Sequence, residues 1–206
     1  MTFFGAMSML IGVLSIGEGR TRSRFMAVEP SYVPGSMTER DPNPGSDQLF
    51  DLDQGFDASA WDGIVIHHSG RSFTDEAWLD RTHRQLGSAD GIAFHFVVGD
   101  GSGIDLGVIA ITHRWREQLG GVHVPGDAGA HHNERSIAIC LEGNGDARPF
   151  DRRQLEALVQ LVRRLQAECG IPADRVRLAR EVAGSDAVSS PGDFFAARSF
   201  RERLLP

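Results

Sequence analysis

Eight histidines stand in a chain of 206 residues that has no lysine, all 21 of its basic residues being arginine. Imidazoles ligate metals and carry protons near neutral pH, while no lysine is available as nucleophile or Schiff-base former. No two histidines share one helix at the spacing of a H-E-x-x-H site, so any metal centre must be assembled from distant segments. His67 is the candidate that stands apart. It lies near the end of Gly63-Ile64-Val65-Ile66-His67-His68, an apolar run that reads as a buried strand with its last side chains emerging at an edge. For the other histidines a hydrogen-bonded or exposed imidazole is the plainer reading. The nucleophile signals are weaker. Ser69, Ser136, Ser189 and Ser190 have no G-x-S-x-G elbow around them. Cys140 and Cys169 read as small core residues, and two cysteines cannot frame a disulfide scaffold. The glycines of Gly99 to Gly103 join two strands and do not open a helix, which argues against a phosphate loop.

The elements that must position these residues follow from periodicity and punctuation. Beside the strand ending at His68, Ala93 to Val98 alternates like a strand. Asp100-Gly101-Ser102-Gly103 turns it into a second strand, Ile104 to Ile111. Ser136 to Leu141 is another buried strand. Thr74 caps a helix running to about Gly87, with Asp75 and Glu76 in its first turn. The clearest helix starts at Asp151, carries the stripe Leu155, Leu158, Val159, Val162 and Leu165, and ends at Gly170 before Pro172. A last short helix holds Phe194, Phe195 and Phe200. Strands and helices interleave, which predicts an α/β class: a single domain with a mixed central β-sheet flanked by helices.

The chain divides at residues 1–24, 25–58 and 59–206. Phe3 to Gly17 is an uncharged apolar run followed by Arg20, Arg22 and Arg24, which suits an export signal or a short membrane anchor. Residues 25–58 hold four prolines and seven acidic residues against one arginine, and read as an acidic tether. That tether carries nearly all of the net charge of −7, a balance that excludes general binding to nucleic acid.

Taken in order, the motifs resemble a family. They are W-D-G-I-V-I-H-H-S (Trp61 to Ser69), G-I-A-F-H-F-V-V-G-D-G (Gly91 to Gly101), W-R-E-Q (Trp115 to Gln118) and G-V-H (Gly121 to His123). N-x-x-S-I-A-I-C-L-E-G-N (Asn133 to Asn144), R-E-V (Arg180 to Val182) and S-P-G (Ser190 to Gly192) follow. The series is similar to the type 2, zinc-dependent N-acetylmuramoyl-L-alanine amidases, among them the peptidoglycan recognition proteins. The resemblance spans about Trp61 to Phe200. It implies a groove across one side of the sheet, peptidoglycan or muropeptide as partner, a place at the cell envelope, and zinc as the cofactor of active members.

Position by position, the resemblance also implies a loss. His67 matches the first zinc ligand. The second falls on Ala179 and the third on Ser190, neither of which is a zinc donor of the family. The water-positioning tyrosine of many members is Phe94, the oxyanion-stabilising residue is Val188, and the glutamate that some relatives use is Cys140. No catalytic residue and no bound cofactor are therefore expected. Substrate contact is expected at His67, Phe94, His123 and Asn133. The reading is a muropeptide-binding domain that has lost hydrolysis. Two alternatives stand beside it: an active amidase with a rearranged zinc site (His67 with His68, Glu181, Asp186 or His131), and a partner-binding module without a glycan ligand.

Overall fold

The computed structural model describes residues 49–206 except 53, 73, 75 and 185–187. The elements in chain order are β1 (Gly63–His68), α1 (Glu76–Gln85), β2 (Phe96–Val98), β3 (Ile109–Ile111), α2 (His113–Arg116), α3 (Ala130–Arg135), β4 (Ser136–Leu141), α4 (Arg152–Cys169), β5 (Val176–Leu178), α5 (Ala179–Val182) and α6 (Ala197–Arg201). Five strands form one mixed sheet in the order β3-β2-β4-β1-β5. All neighbours are parallel except the β2–β3 pair. This is the α/β architecture that the sequence leads one to expect.

Alternation along the strands gives the sheet two unlike faces. One presents Ile64, Ile66, Phe96, Val98, Ile137, Ile139 and Leu141 to Leu158, Leu161, Val162 and Leu165 of α4. Asp151 starts that helix, its side chain accepting from Arg153 N, and Gly170 ends it in the left-handed conformation at φ 67°. The other face carries smaller side chains in two clusters. One gathers Phe94, Val97, Ala138 and Cys140 with Leu79 of α1, the other Val65, Val124, Ala179, Val182 and Ala183. His67 lies on this thinner face, at the ends of the parallel strands.

Several expectations need correction, the strand Ala93 to Val98 among them, which is only Phe96–Val98. The strand Ile104 to Ile111 is only Ile109–Ile111, because Gly107 turns at φ +75° and donates back to Gly99 O. Strand β5 and the short helices α2, α3 and α5 are too short for a periodic signal. In the last helix only Phe200 is helical, Phe194 and Phe195 lying before it. Finally, the stretch 49–58, assigned to the tether, packs on the core. Leu49 is 1% exposed, Phe50, Leu52 and Phe56 lean on the same cluster, and Trp115 Nε1 donates to Leu49 O at 2.7 Å. Gln118 fastens the stretch, accepting from Asp57 N and donating to Gly55 O. The physical reason is aromatic: Phe50 and Phe56 close against Trp115, which no composition count reveals. The apolar run at Phe3 to Gly17 and Tyr32 lie outside the described residues, among which no helix is long and apolar enough to cross a membrane.

Candidate functional site

Consecutive residues of a strand point to opposite faces, so His67 and His68 part company at the end of β1. His67 is 5% exposed and turns to the thinner face. There its Nε2 lies 3.0 Å from Nδ1 of His123, and the Phe94 ring is 5.1 Å away, centroid to centroid. The pairing of Ile66 with Leu178 ends β5 beside β1, and Ala179 follows at the start of α5, packed with Val65 and Val124. His68 turns the other way. Its Nδ1 accepts from Gly145 N at 3.0 Å, and its Nε2 faces Asp146 Oδ2 at 3.9 Å.

Loops hold these groups in place. Asn133 of α3 accepts from His123 N and Val124 N on Oδ1, at 2.9 and 2.8 Å, and donates from Nδ2 to Val124 O at 2.8 Å. His123 Nε2 lies 3.1 Å from the carbonyl oxygen of His132, also on α3. Arg114 is buried and donates to Ile92 O, Gly120 O and Ser88 Oγ, tying together the two loops that flank Phe94. On the far side, His68 N donates to Ser190 Oγ at 2.8 Å, and Ser189 Oγ donates to Asp146 Oδ2 at 2.7 Å. Gly145 and Gly192 meet there so closely that a Cβ on Gly145 would lie 1.9 Å from Pro191 O.

The sequence candidates are therefore brought together unevenly. His67, His123 and Phe94 form one contact group. Asn133 reaches the same place as a brace for the backbone of His123 and Val124. The residues named for a rearranged zinc site scatter. Glu181 accepts from Leu178 N and Arg201, His131 pairs with Asp62 at 3.0 Å, and Asp186 lies outside the described residues. His131 and Glu181 line a separate cleft of about 490 Å³ with Asp62, Arg175 and Arg177. Two contributors carried no sequence signal of their role: the carbonyl of His132, a backbone group, and Arg114, one of many arginines.

Burial governs the protonation of this region. It pushes His67 well below the usual imidazole range, with His123, His83 and His68 nearby adding to the effect. Burial likewise lowers His123 and His95 to about 3, and His83 to about 4. His95 and His83 serve the fold. Nδ1 of His95 accepts from Ala138 N, and Nδ1 of His83 accepts from Ala93 N. Burial raises the Cys140 thiol, so no thiolate is ready there.

A mixed sheet with an imidazole near the end of a central parallel strand, held by loops, has the architecture of an amidase-type α/β domain. The family description "N-acetylmuramoyl-L-alanine amidase" matches residues 57–193, and the chain belongs to that family. Among solved structures it is similar to the endolysin amidase LysCS of Clostridium intestinale URNW, at 24% identity and TM-score 0.57, over 71% of this chain and 84% of that one. It is also similar to wild-type Drosophila PGRP-LB, at 21% identity and TM-score 0.54, again over 71% and 84%. A third is peptidoglycan recognition protein-LE in complex with tracheal cytotoxin, at 20% identity and TM-score 0.51, over 68% and 79%. These likenesses concern the fold. Among curated proteins, none matches the chain.

Zinc is the metal the family implies, and the side chains do not fit it. Ala179 brings a methyl group, packed with Val65, Val124, Val182 and Ala183, and Val188 leans on the same cluster. Ser190 brings a hydroxyl that accepts from the β1 backbone and lacks the charge of a thiolate. Among the described residues no three His, Cys, Asp or Glu side chains converge on one point.

Proposed function

We propose that this domain binds muropeptides of peptidoglycan and does not hydrolyse them. The observation that carries the reading is the apolar filling at the family's chemical positions. Ala179 and Val188 belong to one small hydrophobic cluster, while His67, Phe94 and His123 stay mutually held beside it. Amide hydrolysis in this family relies on a Lewis acid and an activated water. Ala179, Phe94 and Val188 supply no group that binds a metal, orients water or steadies an oxyanion. What is left beside His67 is an apolar wall with a few polar groups, a composition that suits ligand capture. The fold neighbour in complex with tracheal cytotoxin, a monomeric diaminopimelic acid-type peptidoglycan, supports the choice of ligand class. The place we assign is the cell envelope.

The test has three parts: calorimetry with muramyl peptides, sedimentation with purified sacculi, and metal analysis of the purified chain. The expected result is weak binding, with a Kd on the order of 0.1–1 mM. Zinc far below stoichiometric and no release of stem peptides complete it. Stoichiometric zinc with cleavage of the muramyl–alanine amide would establish the active-amidase reading instead. No binding up to millimolar ligand, and none to sacculi, would leave a partner-binding module.

A further inference from the structure

Helix α2 is only four residues long, yet two different parts of the chain grip it. The first is the stretch that leads up to residue 57, where the family match begins. Trp115, fully buried, donates from Nε1 to Leu49 O at 2.7 Å, and the rings of Phe50 and Phe56 stand 6.0 and 5.6 Å from its own. Gln118, just past the helix, completes the grip. Its Oε1 accepts from Asp57 N at 2.8 Å, and its Nε2 donates to Gly55 O at 2.9 Å. The second part is the pair of loops that Arg114 ties together through Ile92 O, Gly120 O and Ser88 Oγ.

Gln118 sits at φ 50°, the one residue other than glycine with positive φ among the described residues. Glycine or asparagine makes such a turn after a helix at lower cost, so the turn alone does not account for a glutamine. Its clamp on Gly55 and Asp57 does. From the clamp the chain runs to the site with little slack. Leu119 N donates to Arg114 O, Gly121 N to Asn133 O and His123 N to Gly121 O, and Leu119 O lies 2.9 Å from Nε2 of His95. Gly121 passes so near Ala93 O that a Cβ on it would lie 2.3 Å away.

We propose that α2 is a relay: residues 49–57 form a strap that, docked on Trp115 and Gln118, holds the loop 119–123 in order. Release of the strap loosens that loop, and with it the contact of His123 with His67. Trp115 and Gln118 act through the loop and are positioning residues. The clamp's hydrogen bonds are exposed, which places the strap among the parts of a fold that open first. The consequence for ligands rests on the muropeptide-binding reading above. A ligand held partly by His123 binds more tightly to a loop already ordered, and by reciprocity its binding fastens the strap.

The test is hydrogen exchange on the full chain and its variants. Phe56→Ala takes a ring from the strap, far from the loop in sequence. Gln118→Ala removes only the two exposed hydrogen bonds of the clamp, a loss the fold survives. Gln118→Gly removes the same clamp and eases the turn. In all three the amides of Leu119, Gly121 and His123 should exchange about three- to tenfold faster, the scale of one lost hydrogen bond, while those of β4 and α4 stay as they were. Calorimetry with N-acetylmuramoyl-L-alanyl-D-isoglutamine should show affinity lowered by a similar factor. Gln118→Glu keeps the acceptor for Asp57 N and should recover part of both effects. Faster exchange confined to 49–57 would overturn the inference. So would a Gln118→Gly chain with its loop as ordered as before, since Gln118 would then make a turn and nothing more. A loosened loop with unchanged affinity would overturn the coupling to the site. If the loop loosens while the unaltered chain binds no muramyl peptide, the relay stands and the binding reading falls.

Discussion

Adjacent strands β1 and β4 end side by side, His68 opposite Leu141 in register, and the two ends have been treated in opposite ways. Past the end of β4 stands Glu142, fully buried, its carboxylate loaded with donors. Oε1 accepts from Thr74 N at 2.7 Å, Thr74 Oγ1 at 3.0 Å and Gly103 N at 3.1 Å. Oε2 accepts from Asp100 N at 3.2 Å and Ile104 N at 3.1 Å. Near the end of β1, Ala179 packs its methyl with Val65 and Val124, and Ser190 sets a hydroxyl against His68 N. The difference lies in who depends on the group. Four backbone N–H groups of this chain rely on Glu142, so its loss would leave buried donors unpaired. A donor aimed only at an external ion satisfies nothing in the fold, so its replacement by a small side chain costs folding little.

The sharpest way to break this contrast is Glu142→Ala. It should lower unfolding free energy by about 3–5 kcal/mol, the range for orphaning several buried partners of a charge. Glu142→Gln should cost less, because the amide keeps one acceptor oxygen. Urea unfolding measures both. A loss under about 1 kcal/mol for Glu142→Ala would mean that the loop of Asp100 to Ile104 does not lean on the carboxylate.

Next in size is the reverse experiment, rebuilding the ligand set with Ala179→His and Ser190→Cys together. Ala179 is 2% exposed among Val65, Val124 and Val182, so the larger ring overpacks the cluster at about 1–3 kcal/mol. The thiol also weakens the acceptor for His68 N. Added zinc should recover part of the lost stability by binding the folded state, a rise in Tm that the unaltered chain does not show. A zinc-dependent rise of the same size in the unaltered chain would refute the contrast.

The buried histidines give a third handle, through pH. Their ordinary value near 6.5 applies in the unfolded chain, while His123 and His95 sit at about 3 and His83 at about 4 in the fold. Above pH 6.5 both states hold these rings neutral and stability is complete. Below it the unfolded chain takes up protons that the fold refuses, and each ring removes about 1.4 kcal/mol per pH unit. The loss runs from about pH 6.5 down to 3–4. Urea midpoints at pH 7 and pH 5.5 should fall accordingly, and a flat profile would contradict burial of these rings.

How far the sequence reveals all this depends on the kind of signal. Strands β1 and β4 are legible to the residue because Gly63–His68 and Ser136–Leu141 are continuous apolar runs, as sheet centres buried on both faces require. Helix α4 is legible from its Asp151 and Gly170 ends. Strand β5 is not, since Val-Arg-Leu is too short for a period. The packing of Leu49 was hidden by the prolines and acidic residues before it. At the site, His67 is visible from its place near a strand end, and Ala179 and Ser190 from the family resemblance. The orientation of His123 is not visible, because a backbone carbonyl fixes it.

The smallest expected effect concerns Asn133, whose link to the proposed muropeptide site runs only through His123. Its three hydrogen bonds to the backbone of His123 and Val124 hold the ring where it meets His67. Asn133→Ala removes all three partners, and those backbone groups are only partly buried, so water replaces part of the loss. The cost should be about 1 kcal/mol, within the net range of a hydrogen bond. Asn133→Asp keeps the acceptor for the two N–H groups but sets a carboxylate oxygen against Val124 O. A purely structural role would lower stability in both variants and leave affinity for muramyl peptides unchanged in the folded fraction. A positioning role predicts a second readout: the nitrogen-15 signature of the His123–His67 pair should broaden or shift in Asn133→Ala, with affinity falling a few-fold, and Asn133→Asp should recover part of both. If the pair's signature stays as in the unaltered chain while stability drops, Asn133 holds the loop and nothing more, and the placement of His123 belongs to the His132 carbonyl alone.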